Sequence, residues 1–146
     1  MRTAKKNKVA ILVAAVGAFG VNAIGTQSAL AADATWNVNA NGNWATGASW
    51  LPAAAPGATA GTTNIDTATF GTIIGAARTV TVDSNRNILG INFAGNSSAY
   101  TLSGGSLLLT NTGLIQTSGA GSGHTDIIST TVAIQGDGGA ATFTAG

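Results

Sequence analysis

The sequence predicts an all-β protein, and within that class a β-helix in preference to a β-sandwich. Three observations carry this. Short runs alternate apolar or β-branched residues with Thr, Ser or Asn, and clusters of Gly, Asn and Ser separate them; this is the period-2 signature of strands. Beyond the first 31 residues no segment sustains a helical period. Charged residues make up only 8% of the chain, against about 25% in ordinary globular domains.

Residues 1–31 read as a cleaved signal peptide. Arg2, Lys5, Lys6 and Lys8 form a basic start without an acid, and a 13-residue apolar run follows from Val9 to Val21. Ser28-Ala-Leu-Ala31 then supplies small side chains for a signal peptidase, with Ala29 and Ala31 as its recognition residues. A membrane-spanning helix needs about 20 consecutive apolar residues, and Asn22 interrupts this run first. There is no Arg-Arg pair, so a Sec-type route is expected. There is no cysteine to carry a lipid or form a disulfide. No transmembrane segment is expected after cleavage.

Cleavage after Ala31 reverses the charge. It leaves Arg78 and Arg86 against Asp33, Asp66, Asp83, Asp126 and Asp137, a net charge of −3 in place of +1. Such a chain lacks the basic footprint that phosphate backbones require, so nucleic acid is not an expected partner.

Residues 32–67 form a distinct segment, expected to cap the fold. It is rich in Trp and Asn, then in Ala, Pro and Gly, and it holds Trp36, Trp44 and Trp50. Pro52 and Pro56 flank an alanine run that reads as loop or extended chain.

Residues 68–146 read as the repeat region. Strands are expected at Thr79–Asp83, Ile91–Phe93, Tyr100–Leu102, Ser106–Thr110, Gly113–Thr117, Ile127–Ile134 and Ala141–Thr144. Strands at this spacing also suit an immunoglobulin-like sandwich. Their shortness, and an exterior tiled with Thr, Asn and Ser, favour the stacked rungs of a β-helix. The sequence also stops within the last expected strand. A solenoid tolerates a cut between rungs, whereas a sandwich would lose a core strand, so a fragment or truncated frame is expected.

The order of motifs from Trp36 to Gly146 resembles the opening of bacterial proteins with autotransporter-associated β-strand repeats. The residues are Trp36, Asn43-Trp44, Trp50, Pro56-Gly57 and Ala68-Thr-Phe-Gly71, followed by Thr79-Val-Thr-Val-Asp83, Ile91-Asn-Phe93 and Tyr100 to Leu109. The resemblance implies a right-handed parallel β-helix acting as an exported structural or adhesive passenger segment. It places the chain outside the cell or at its surface, associated with the outer membrane through a further C-terminal region. Its partners would be the secretion machinery and surface glycans or host and biofilm components. Members run on to a membrane barrel or a sorting segment, and this chain shows neither the alternating girdled strands nor a sorting tail.

The tryptophans offer the most suggestive chemistry. With Asn37, Asn39, Asn41 and Asn43 beside them, Trp36, Trp44 and Trp50 could contact carbohydrate, which makes a secreted carbohydrate-binding module the alternative function. Covering the open end of a solenoid is the favoured role. An enzyme is not expected. Paired carboxylates must lie close to share acid and base roles, and Asp66, Asp83, Asp126 and Asp137 are scattered. Asp83 and Arg86 are the one close acid–base pair, in an Asp-Ser-Asn-Arg turn where the carboxylate is expected to bond its own backbone. His124 has no second His or Cys for zinc. Gly119–Asp126 and Gly136–Gly139 are only single loose likenesses of a tandem calcium repeat. No cofactor or metal is expected.

Overall fold

The computed structural model describes residues 32–95, 97–119 and 123–136. The signal-peptidase residues Ala29 and Ala31, and the strand expected at 141–144, lie outside them. The described chain is all-β, with one turn of 3-10 helix at Gly47–Ser49.

The strands are β1 (Ala34–Trp36), β2 (Gly42–Asn43), β3 (Trp50–Leu51), β4 (Thr67–Phe70), β5 (Arg78–Val82), β6 (Arg86–Ala94), β7 (Tyr100–Gly104), β8 (Ser106–Ser118), β9 (Ile127–Ile128) and β10 (Thr131–Ile134). One sheet runs β10-β8-β6-β4-β1-β3 and the other β2-β5-β7-β9. Every pairing between named strands is parallel except β1 with β3.

Alternation decides which side chains enter the core. Along β5, Val80 and Val82 are buried while Thr81 is exposed, and along β7 Tyr100 and Leu102 are buried. Parallel register then stacks like on like. Ala34 faces Ala68, Ala68 faces Ile91, and Ile91 faces Ile115. In the second sheet Val80 faces Leu102 and Leu102 faces Ile128. The partners are far apart in sequence: Arg86 faces Leu107, 21 residues on, and Thr101 faces Ile127, 26 residues on.

β7 and β8 are joined through Gly104 and Gly105 but lie in different sheets, so this turn does not close a hairpin. Gly104 takes φ +83, and a Cβ on Gly105 would collide with the Asp83 carbonyl group. The chain therefore needs glycine here to turn from one sheet to the next against the strand below.

Several expected boundaries shift. The strands read at Ser106–Thr110 and Gly113–Thr117 merge into β8, and the one read at Ile127–Ile134 divides into β9 and β10. β8 absorbs its interruption as an irregularity: Ile88 faces Leu109 but Gly90 faces Leu114. β6 begins at Arg86, before the expected Ile91 start. The division drawn after residue 67 falls inside β4, and one hydrophobic core includes Trp36, Trp44, Trp50, Phe70, Val80 and Leu107 together.

Candidate functional site

The three tryptophans come together through β1, β3 and the turn that follows β2. Trp36 faces Trp50 across the antiparallel β1–β3 pair, and their rings meet edge to face with centroids 5.2 Å apart, a favourable arrangement for ring quadrupoles. Trp44 lies 5.0 Å from Trp50. Phe70 is the hub: its ring is 6.5, 5.7 and 5.6 Å from Trp36, Trp44 and Trp50, and it stacks on Phe93 at 5.4 Å. Tyr100 closes the cluster 5.1 Å from Phe70.

This cluster is interior. Trp36, Trp44 and Trp50 are 1%, 0% and 2% exposed, and a ring needs an open face to stack on a sugar. Two of the indoles are also tied down. Trp44 Nε1 donates to the Pro56 carbonyl at 2.9 Å, and Trp50 Nε1 donates to the Trp44 carbonyl at 2.7 Å. Gly42 admits the third, since a Cβ there would stand 2.9 Å from the Trp36 ring. The geometry gives the tryptophans a packing role and offers no open ring face to a glycan.

The asparagines and aspartates form a second arrangement, which the sequence reading did not anticipate. An Asp or Asn just before a strand accepts a backbone N–H from a neighbouring strand or its approach. Asp33, before β1, takes the Thr67 N–H at the start of β4 (2.7 Å). Asn41, before β2, takes the Thr79 N–H in β5 (2.9 Å). Asp126, before β9, takes the Tyr100 N–H at the start of β7 (2.8 Å). Asp66, before β4, takes the Ala32 N–H (2.7 Å) and the Gly57 N–H (2.7 Å). Apart from the Gly57 N–H, which lies in a loop, these are donors that the strand ladder leaves over at its end. An Asp or Asn at the entry of an alternating run was the available signal.

Asp83 departs from the expected turn. Instead of bonding its own backbone, its carboxylate pairs with the Arg86 guanidinium, with Nε to Oδ1 at 3.0 Å and a second bond from Nη2 to Oδ2. Arg86 is buried, and its Nη1 donates to the Gly57 carbonyl at 2.8 Å. A cation removed from water needs such a partner. The other arginine, Arg78, is held by the Asn39 side-chain oxygen at 2.9 and 3.1 Å.

Tyr100 donates its hydroxyl proton to the Gly71 carbonyl at 2.9 Å. Burial, with the charge of Asp126 added, pushes its phenol well above the usual tyrosine range. His124 Nε2 lies 3.6 Å from Asp126 Oδ2. Among the described residues no group of three or more His, Cys, Asp or Glu could hold a metal ion. Asp33, Asp66 and Asp126 accept backbone N–H groups, and Asp83 pairs with Arg86. Among those residues no helix is long and apolar enough to cross a membrane. No protein-family model, curated protein or solved structure matches the chain.

Proposed function

We propose that the chain is an exported structural segment, a right-handed parallel β-helix that serves as a stalk or passenger at a bacterial cell surface. The observation that carries this reading is the stacking. Apart from β3, which folds back antiparallel on β1, the strands of each sheet succeed one another in chain order, β1-β4-β6-β8-β10 and β2-β5-β7-β9, with parallel register. Successive coils of a solenoid produce this order, since each contacts only its neighbours. The hand follows from the strong preference of parallel strand connections for right-handed crossovers. A hairpin-built sandwich would pair sequence-adjacent strands antiparallel.

The chemistry fits an extended, inert scaffold. Buried aliphatic and aromatic side chains fill the interior, and the outward strand positions carry Thr35, Asn43, Thr81, Thr112, Thr117 and Thr131 beside the exposed apolar Leu51, Leu114, Ile127 and Ile134. The basic leader and its Ala29 and Ala31 site support export by signal peptidase. Surface labelling tests the role. A tagged chain expressed in its own host is expected in the medium or open to added protease on intact cells. A chain retained inside with Met1 and its leader attached would refute export.

A further inference from the structure

Asp66 is 3% exposed, and a carboxylate this buried calls for compensation. It receives three neutral donors: the Ala32 N–H on Oδ1, and the Gly57 N–H and the Asn64 amide on Oδ2, at 2.7, 2.7 and 3.3 Å. Both arginines of the described chain are engaged elsewhere, Arg86 with Asp83 and Arg78 with Asn39. All three lysines, Lys5, Lys6 and Lys8, lie in the leader. The processed chain therefore has no lysine to offer Asp66.

Ala32 is the residue that signal cleavage after Ala31 would make the first of the mature chain. Its nitrogen already lies 2.7 Å from Asp66 Oδ1. The neighbouring pairing holds it there: Asp33 accepts the Thr67 N–H, and Ala34 faces Ala68 in the β1–β4 register.

We infer that Asp66 is the receptor for the α-ammonium of processed Ala32, so that leader removal completes a part-buried ion pair on a buried carboxylate. The inference rests on the reading of residues 1–31 as a cleaved leader. Hydrolysis breaks the Ala31–Ala32 peptide bond. Water's hydroxyl goes to the Ala31 carbonyl carbon and its hydrogen to the Ala32 nitrogen, which takes a further proton from solvent. A neutral amide donor becomes a cation with three donors, on the same oxygen and without movement of the chain. A charge-assisted bond is roughly twice as strong as a neutral one, and this one neutralises a buried anion. Processing thereby raises the stability of the fold, and the precursor remains easier to unfold while it crosses the membrane.

The absence of lysine makes the test clean, because the α-amine is then the sole primary amine of the processed chain. The full chain is exported from a secreting host, and its N-terminus is read by sequencing and intact mass. A start at Ala32 is expected; any other start overturns the inference, and retention of Met1 overturns the leader reading with it. The processed protein is then treated with an amine-selective acetylating reagent, folded and in denaturant. In the folded protein, reaction is expected to be slower by roughly tenfold or more, since it must await local opening. Equal rates overturn the pair while leaving export intact. Protein acetylated while unfolded and then refolded is expected to melt several degrees lower, and in Asp66→Asn the same acetylation is expected to shift the midpoint far less. An unchanged midpoint on acetylation of the wild-type chain overturns the inference without depending on how Asp66→Asn folds.

Discussion

The indole of Trp44 is fully buried, its N–H is bonded to Pro56, and its carbonyl receives the Trp50 N–H. Truncation to alanine removes the ring contacts with Trp50 and Phe70 and opens a cavity. Trp44→Ala should cost about 3–5 kcal/mol, read by urea denaturation; a loss below about 1 kcal/mol would contradict the packing. The intact protein should show buried-type tryptophan emission that does not change on titration with soluble glycans. The ion pair makes a separate prediction. Asp83→Ala leaves the Arg86 guanidinium buried without its counter-charge, so it should cost about 3 kcal/mol, and Arg86→Met should cost less. The reverse order would show that the charge is solvated. Tyr100 predicts a pH dependence. Its phenol is raised, so the folded state keeps a proton that the unfolded state loses above about pH 10. That contribution is present below this pH and is lost as pH climbs toward the folded value. Tyr100 is the sole tyrosine, so absorbance near 295 nm reports it alone. It should resist ionisation through pH 10 until the fold opens, and ordinary titration there would contradict its burial.

At the scale of elements, two glycines of like backbone but unlike surroundings make a controlled comparison. Gly57 and Gly61 take φ +79 and +78. A Cβ on Gly57 would lie 2.5 Å from the Asn87 carbonyl oxygen, whereas one on Gly61 meets nothing within 4 Å. Gly61→Ala should cost only the left-handed penalty, about 1 kcal/mol. Gly57→Ala adds a collision with backbone that cannot swing away, for about 2 kcal/mol or more in total, and equal costs would show that the approach of Gly57 to Asn87 is loose. The strands legible in the sequence were β5, β7, the apolar halves of β6 and β8, and β9 and β10, which read together as one eight-residue run from Ile127 to Ile134. β1, β2, β3 and β4 escaped detection because strands of two to four residues are too short for periodicity to register. Phe70 escaped notice as the aromatic hub for another reason. It lies at the end of a four-residue strand, and its partners Trp36, Trp44, Phe93 and Tyr100 are gathered by stacking, which no local pattern encodes. The carboxylate acceptors escaped likewise, since Asp33 and Thr67 are 34 residues apart.

For the whole molecule, composition was the better guide. Scarce charge and abundant Thr, Asn and Ser spoke for rungs that bond to one another, and the strands do succeed one another in parallel register. The depth of the tryptophans follows from β3 folding back on β1, the one antiparallel pair between named strands. The central claim, that the chain stacks in parallel on itself, is tested most directly by backbone nuclear Overhauser contacts between isotope-labelled strands. Parallel-type contacts are expected to link Gly42 to Val80, Val80 to Leu102 and Leu102 to Ile128. Close Hα–Hα contacts between Tyr100–Gly104 and the start of Ser106–Ser118, the mark of an antiparallel hairpin through Gly105, would contradict it.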